Sequence, residues 1–215
     1  LHEVIRLSGM NIIIGEVDRP LVIKVASITS ARIQVYFIDN DDYFRRKQLT
    51  YDTDGTFFED NGQRAIFFAR GVLETVKKLR WAPDIIHCQG WISHLVPLYL
   101  KKVYNGDPIF SNSKVVTSLY GDITGERFAP NFKDTVRFGS INPEDVPLLD
   151  DPTGINLAET AAMYSDGIIF GAADVDKELV KYCKGLGVPT LPFDEESVSS
   201  GRYIEEYDGF YQQLQ

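Results

Sequence analysis

Four residues with chemically useful side chains follow the apolar runs of the chain, where a strand would give way to a helix or a loop. His87 closes one such run, with Gln89 and Trp91 directly after it, and Asp122 lies in the glycine-rich turn after another. In open α/β sheets, ligands bind outside the carboxyl ends of the strands. The imidazole, amide and carboxylate groups can hydrogen-bond a polar ligand there, and the indole can stack on an apolar face. These residues are therefore our candidates for substrate binding.

The same side chains also have structural interpretations, and the sequence leaves both open. His87 is either a partly buried histidine held by backbone groups or a ligand-facing group, and Trp91 is either a core residue or a stacking surface. Backbone N–H groups of the turn around Asp122 can cradle a ligand. His94, which matches no motif, is predicted to be solvated or to cap a helix. No group of residues has the spacing of a metal site, and we expect neither a metal nor another cofactor.

Strand-like runs come first along the chain. Three of them, at 11–15, 21–28 and 32–38, are separated by short turns and predict an antiparallel meander or hairpin. Farther on, some segments repeat apolar residues every three or four positions, whereas others are short buried runs. The predicted strands cover 84–88, 114–120 and 166–171, and the predicted helices cover 65–79, 91–103, 156–164 and 173–186.

Strands that alternate with helices form right-handed βαβ units and a mostly parallel sheet. We therefore predict an α/β fold, a Rossmann-like three-layer sandwich, with the 215 residues as a single domain. Residues 121–152 are rich in glycine, proline and aspartate and are predicted to be a long irregular insert. A last helix is predicted at about 202–214, with a tyrosine-rich stripe that packs on the domain.

Composition argues against several classes of function. The chain has 31 acidic and 22 basic residues and a net charge of −9, so nucleic acids and anionic membranes are disfavoured as partners. No apolar stretch approaches the length of about 18 residues that a membrane span needs. Cys88 and Cys183 have no metal-binding or disulfide pattern and are predicted to be reduced core residues, which fits a cytoplasmic protein. The glycine-rich nucleotide fingerprints and the serine-hydrolase motif do not occur in the sequence.

Several blocks of the sequence follow one another in a distinctive order. They are VYFIDNDDYF at 35–44, DNGQRAIFFAR at 60–70, PDIIHCQGW at 83–91 and LVPLYL at 95–100. They resemble the N-terminal, acceptor-side domain of bacterial glycogen synthases and starch synthases, which are retaining glucosyltransferases of the GT-B type. The family pattern includes Phe-Ile-Asp-Asn, Asp-Asn-x-x-Arg-Phe-x-Phe-Phe, Pro-Asp-Ile-(Ile/Val)-His-Cys-His-Asp-Trp and Val-Pro-x-Tyr-Leu. The resemblance covers roughly residues 20–185.

The chain departs from the family at positions that bear on catalysis. The family's His-Cys-His-Asp-Trp reads His-Cys-Gln-Gly-Trp at 87–91, and Leu119 replaces the family's active-site histidine after the next strand. Leucine can neither hydrogen-bond a sugar hydroxyl nor move a proton. The family's Lys-x-Gly-Gly loop and its second Rossmann-like domain, which supplies most nucleotide contacts, have no counterpart in the sequence. Either that domain was lost while its returning C-terminal helix was kept, or the sequence is a piece of a longer protein.

The resemblance implies a role in α-1,4-glucan metabolism, since the family transfers glucose from ADP- or UDP-glucose to a glucan end. We expect this chain to be weak or inactive by itself, with the four residues named first at the remaining substrate site. Tyr43 and Phe44, together with Phe57 and Phe58, are candidates for glucan contact, and they can equally form a small apolar cluster under a long loop. The expected partners are α-glucan and a nucleotide sugar.

Two other functions remain open at this point. One is a non-catalytic module that binds glucan or a full-length synthase, or forms a homo-oligomer, through the surface that the second domain covers in the family. The other is an unrelated enzyme that uses His87 and Asp122, which requires these two side chains to converge on one pocket.

Overall fold

The strands form two separate sheets in the computed structural model, which describes residues 2–215. β1 (Val4–Ile14), β2 (Val17–Ile28) and β3 (Ile33–Asp39) form an antiparallel sheet in that order. β4 (Ile85–Gln89), β5 (Lys114–Leu119), β6 (Gly167–Phe170) and β7 (Thr190–Leu191) form a parallel sheet, also in chain order. The helices are α1 (Asp41–Phe44), α2 (Asn61–Leu79), α3 (Val96–Lys102), α4 (Phe132–Val136), α5 (Gly154–Met163), α6 (Lys177–Gly185), α7 (Glu195–Ser200) and α8 (Tyr203–Leu214).

The antiparallel sheet confirms the predicted meander, and its strands alternate between a buried and an exposed face. Ile12, Leu21 and Ile23 are buried on the inner face, whereas Ile13 is 57% exposed. Because successive side chains of a strand point to opposite faces, this alternation is expected of a sheet with one covered face. β1 begins earlier than predicted, at Val4, because backbone pairing with β2 continues through its more polar first half.

Helix α2 connects the antiparallel sheet to the rest of the core. Its buried face contacts β1, β3, α3 and α4, and the largest apolar cluster runs from the antiparallel sheet through α2 to β4 and α3. Two glycines allow close approach: a Cβ on Gly62 would lie 2.7 Å from the Phe132 ring, and one on Gly71 would lie 2.7 Å from Ile38. A larger residue at either position would push the packed elements apart.

The parallel sheet is covered on both faces, which gives the three layers that the sequence predicts. Residues 115–119 of β5 are all buried, as expected of a strand with helices on both sides. One face packs on α5 and α6 in a cluster that includes Leu119, Ala158, Ile168 and Leu179. The other face packs on α8 in a cluster that includes Val116, Ile169 and Phe210.

Two helices are shorter than predicted. The predicted helix at 91–103 divides into a 3-10 turn, Trp91–Ser93, and α3. Pro97 lies in the first turn of α3, where its missing N–H costs no helical hydrogen bond. α6 begins at Lys177, four residues after the predicted start, because the Asp176 side chain caps it by accepting hydrogen bonds from two backbone N–H groups at 3.0 Å.

Short helices also occur where the sequence pattern is irregular. Residues 121–152 contain α4 and two 3-10 turns, Pro143–Asp145 and Pro147–Asp150. α7, which was not predicted, begins at a cap formed by the Asp194 side chain. α8 lies at the position of the predicted last helix. Within residues 2–215, no helix is both long enough and apolar enough to cross a membrane.

Cys88 and Cys183 are both free and buried, as predicted. Burial raises the pKa of each thiol to about 12. Burial thus disfavours the thiolate, which is the reactive form of cysteine, at neutral pH.

Candidate functional site

The carboxyl ends of β4, β5 and β6 meet at one edge of the parallel sheet, together with the loops that follow them. These loops pack closely on one another. A Cβ on Gly121 would lie 2.2 Å from the Asp174 carboxylate, and one on Gly171 would lie 2.3 Å from the Tyr120 ring. Glycine at both positions therefore brings the loop after β5 against the end of β6, at the edge where α/β sheets bind ligands.

His87 is held at both of its ring nitrogens. Nδ1 lies 2.5 Å from the hydroxyl oxygen of Tyr211 in α8, and Nε2 lies 2.6 Å from Oγ of Ser118 in β5. The rings of Tyr207 and Tyr211 pack against the imidazole, with centroids 5.9 and 5.7 Å away. Burial lowers the pKa of His87, so the ring is neutral at pH 7 and donates through one nitrogen while accepting through the other.

This geometry makes His87 a link between the sheet and α8. Both ring nitrogens are occupied, and Asp122 is exposed in the loop after β5. No hydrogen bond joins His87 and Asp122, and the pocket that His87 lines does not include Asp122. The hydrogen bond of Tyr211 was missed because the tyrosines of the last helix were assigned to packing, and nothing in the sequence pairs residues so far apart.

Gln89 and Asp122 are the two candidate residues that are open to solvent. Gln89 stands at the end of β4, where its Oε1 accepts a 3.4 Å hydrogen bond from the Tyr120 hydroxyl. Gly90 follows with φ +79°, which favours glycine, and turns the chain back into the core. Both polar side chains can hydrogen-bond a ligand at the sheet edge. Over the described part of the chain, no three His, Cys, Asp or Glu residues gather into a metal site.

Trp91 is buried, with 6% of its surface exposed. Its Nε1–H donates a 3.0 Å hydrogen bond to Oγ1 of Thr50, and its ring centroid lies 6.1 Å from that of Phe128. Of the two interpretations that the sequence leaves open, the structure shows the core position. Through these two contacts the buried indole supports the loops that carry Thr50 and Phe128.

Tyr43 and Phe44 belong to an aromatic cluster around α1. Tyr43 is 2% exposed and its hydroxyl donates a 2.8 Å hydrogen bond to Gln63, while Phe44 packs on Phe67 with ring centroids 6.0 Å apart. Of the two alternatives open for Tyr43, the structure therefore shows the position in an apolar cluster. Phe44 is only half-buried and keeps part of its ring at the surface.

Leu119, which the resemblance places at the family's active-site histidine, is fully buried. It lies in the apolar cluster between the sheet and helices α5 and α6. A core side chain thus stands at the carboxyl end of β5.

Arg64 is a positioning residue that the sequence did not single out. Arg64 is 1% exposed, and its guanidinium donates to the carbonyl oxygens of Tyr43 and Leu49 at 2.9 and 2.5 Å. It also donates to Oδ1 of Asn61 at 2.6 Å. These bonds hold residues 43–49 against the start of α2. Arg64 is the arginine of the Asp-Asn-x-x-Arg pattern, so the motif was visible although its structural role was not.

The prediction that His94 is solvated is wrong. Its side chain is 1% exposed, and Nδ1 has no hydrogen-bond partner among the described residues. Only its backbone caps the 3-10 turn, by donating a 3.1 Å hydrogen bond to the carbonyl of Trp91. Burial lowers the pKa of His94 to about 4. The error arises because a regular helix was assumed where the chain makes a 3-10 turn.

A groove of about 630 Å³ opens between residues 55–59 and residues 126–130. The sequence offers Phe57 of the lining as a candidate glucan contact but does not indicate the groove, because its two walls lie about 70 residues apart along the chain and come together only in the fold. Aromatic rings and charged side chains both line it. The residues that matter for its chemistry are Phe57, Glu59, Glu126, Arg127, Phe128 and Pro130.

Known proteins resemble this chain over most of its length. The family model of the starch synthase catalytic domain matches residues 1–189. A glycogen synthase of Chlorobium limicola is 37% identical over 169 residues, which cover 77% of this chain and 34% of the relative. A glycogen synthase of Chlorobium luteolum is 41% identical over 121 residues, which cover 56% of this chain and 25% of the relative. The chain thus spans about a third or less of the length of these curated relatives.

A solved structure shares the fold. It is the catalytic domain of starch synthase IV from Arabidopsis thaliana, bound to ADP and acarbose, and it matches with a TM-score of 0.67 at 14% identity. The match covers 89% of this chain and 40% of that chain, which confirms the predicted α/β fold. Since the family model also extends over most of the sequence, the chain belongs to the starch synthase catalytic domain family.

Proposed function

We propose that this chain is the glucan-binding, acceptor-side part of a glycogen or starch synthase-type glucosyltransferase. The family match and the identity of 37–41% to glycogen synthases support this proposal. α-Glucan is the proposed ligand of the chain, and a nucleotide sugar is the proposed second substrate of the complete reaction. We also propose that the 215 residues act as one domain, in the cytoplasm.

Gln89 and Asp122 are proposed to hydrogen-bond the substrate, because both are exposed at the carboxyl edge of the parallel sheet. Trp91 and Tyr43 are proposed to act from the core, by supporting the loops around the site. Phe44 remains a proposed glucan contact through the exposed part of its ring. His87 is proposed to position the sheet edge against α8.

We further propose that the chain alone transfers little or no glucose. The observation that carries this proposal is the burial of Leu119 in an apolar cluster, at the position where the family has a histidine. A leucine side chain has no proton that it can donate or accept. His87, which retains the first histidine of the family motif, has its two nitrogens occupied by Tyr211 and Ser118.

Two assays of the purified chain test these proposals separately. Incorporation of labelled glucose into glycogen from ADP-glucose or UDP-glucose is expected to equal a protein-free blank, and transfer that scales with protein concentration would contradict the proposed inactivity. Glucan binding is read from migration through a native gel with glycogen cast in it, beside an inert protein of similar charge. Selective retardation is expected, and unchanged mobility would contradict glucan binding.

A second candidate function, partnership with a full-length synthase or with a second copy of the chain, is favoured by one observation. The outer face of the antiparallel sheet exposes large apolar side chains, among them Ile5 at 66% and Phe37 at 38%. Both pair in register with Lys24 and therefore share one face. Exposed apolar patches are typical of interaction surfaces. Light scattering of the chain, alone and mixed with a synthase, would contradict this candidate if every species were a monomer.

A further inference from the structure

We propose that the outer edge of β3 pairs with the same edge of a second copy of this chain, so that two antiparallel sheets join into one sheet of six strands. β3 lies at one edge of its sheet, and within residues 2–215 it pairs with no strand other than β2. Adding a strand to an open edge is a recurring mode of recognition, in which main-chain hydrogen bonds supply the affinity. The pairing rests on the second candidate function, association with a second copy, and is independent of glucan binding.

The other three sheet edges are interrupted or short. An open edge presents unpaired N–H and C=O groups, and bulges, side-chain contacts and short strands prevent unwanted pairing there. β1 has two register shifts, between Ile5 and Leu7 and between Leu7 and Met10, and Arg70 donates a hydrogen bond to the carbonyl oxygen of Ile13. β4 and β7, the edges of the parallel sheet, have only five and two residues.

The edge of β3 has none of these protections. All seven of its residues, Ile33–Asp39, pair with β2 without a register shift. Its sequence, IQVYFID, contains no glycine, proline, lysine or arginine and is rich in the β-branched and aromatic residues that strands favour. Regular, apolar edge strands of this kind are the ones that pair with another chain. β3 is therefore the edge best suited to accept a further strand.

The residue pattern of β3 is complementary to itself, which is the reason that a second copy fits. A two-fold contact brings the same strand of each copy together in antiparallel orientation. With Tyr36 opposite the Tyr36 of the second copy, Val35 lies opposite Phe37 and Gln34 lies opposite Ile38. Directly opposite side chains in an antiparallel pair contact one another, and apolar and aromatic pairs stabilise it.

The exposed apolar surface of the sheet would continue across this contact. Val35 and Phe37 share the outer face, because they pair with Ala26 and Lys24. Lys24 in turn pairs with Ile5, which is 66% exposed. Joining two copies places the Val35 of each beside the Phe37 of the other, which covers apolar surface that the single chain leaves in solvent.

The distribution of charge permits the contact at this edge. The chain has a net charge of −9, which disfavours the association of two copies in general. Residues 33–38 carry no charge, however, and the carboxylate of Asp39 forms a 2.7 Å ion pair with Lys24. In the two-fold pairing Asp39 lies opposite Ile33, so no two charges of the same sign face each other. The two copies thus meet at a neutral segment.

Light scattering coupled to size exclusion tests the pairing on the whole chain, which is expected to form a dimer. The variant combining Val35→Lys and Phe37→Lys places like charges opposite each other and is expected to raise the dissociation constant of the dimer at least about tenfold. The matched control combines Ile13→Lys and Val17→Lys, at exposed apolar positions beside the β1–β2 turn. This control is expected to dimerise like the unmodified chain.

A second pair of substitutions tests the antiparallel orientation. The variant combining Val35→Glu and Phe37→Glu is also expected to dimerise weakly by itself. An equal mixture of the lysine and glutamate variants is expected to associate again, because opposite charges then face each other at both positions. A mixture that stays monomeric would overturn the proposed pairing, and recovery shows that both variants are folded.

Hydrogen exchange of the unmodified chain at high and low protein concentration tests the same edge without a substitution. Exchange in β3 is expected to be slower at high concentration, with no change in β1. If β3 did not respond, or if the lysine variant dimerised as well as its control, the β3 edge would be wrong while association with a second copy stood. A chain that is monomeric at every concentration would overturn both, and glucan binding is measured separately in the glycogen gel.

Discussion

The two sheets of this protein bury their side chains in different ways. This difference determines which sheet can present polar residues to a ligand and which sheet only supports the core. The antiparallel sheet covers one face with α2 and leaves the other in solvent, so that Ile12 is buried and its neighbour Ile13 is exposed. The parallel sheet is covered on both faces, and only its edges and loops reach solvent. Gln89 and Asp122 stand at its carboxyl edge.

This comparison explains why the polar site residues lie beside the parallel sheet. A sheet covered on both faces can expose functional groups only where its strands end, which concentrates them in adjacent loops. One wall of the groove, residues 126–130, belongs to such a loop, and the other wall, residues 55–59, comes from the segment before α2. The antiparallel sheet contributes to the site through α2, which packs against both sheets.

The largest expected effect comes from truncating buried side chains in each sheet. Leu119→Ala in the parallel sheet and Ile23→Ala on the inner antiparallel face are each expected to lower the free energy of unfolding by about 2–5 kcal/mol. Ile13→Ala, on the exposed face, is expected to change it by less than about 0.5 kcal/mol. Urea unfolding measures all three. Two separate transitions would show that the antiparallel sheet unfolds independently, contrary to the shared core.

Arg64 gives the next largest effect on stability, because its removal leaves the buried carbonyl oxygen of Tyr43 and Oδ1 of the buried Asn61 without this donor. Arg64→Met is expected to lower the free energy of unfolding by about 3 kcal/mol. Arg64→Lys is expected to restore only part of this, because lysine lacks the planar fork. Arg45→Met, at an exposed ion pair, is the control and should be nearly neutral. Equal effects at the two arginines would contradict the role of Arg64.

The burial of His94 predicts that the free energy of unfolding depends on pH. Its pKa is about 4 in the folded chain, against an ordinary value of 6.5, so the unfolded chain binds the proton first as the pH falls. Stability is therefore complete above pH 6.5 and decreases by about 3 kcal/mol as the pH falls to 4. His94→Gln is expected to flatten this part of the profile. His2→Gln, at an exposed position, is expected to keep the profile of the unmodified chain. Superimposable profiles for all three proteins would rule out this contribution.

The smallest expected effect concerns the link between the sheet and α8. Tyr211→Phe removes the hydroxyl that contacts Nδ1 of His87 and is expected to cost about 1 kcal/mol. Tyr203→Phe, on the same helix, is the matched control and is expected to cost less. Thermal unfolding followed by circular dichroism compares the two variants. A larger loss at Tyr203 would show that α8 is held by its ring packing and not by His87.

The elements that the sequence predicts best are those with strong periodicity. The meander, α2 and the strands at 84–88 and 114–120 follow from apolar patterns that the tertiary structure does not override. The burial of His94 was missed because the 3-10 turn at Trp91–Ser93 breaks the assumed helical phase. The groove and the bonds of His87 were missed for another reason: their partners are distant in sequence and carry no local signal.

Hydrogen exchange in the presence and absence of maltoheptaose tests the central claim most directly. If the parallel-sheet side binds glucan and the antiparallel sheet supports it, maltoheptaose is expected to slow exchange in the loops at the carboxyl edge of the parallel sheet, which carry Gln89 and Asp122. Exchange in β1, β2 and β3 should remain unchanged. Protection confined to the antiparallel sheet, or protection nowhere in the chain, would contradict the assignment of glucan binding to this edge.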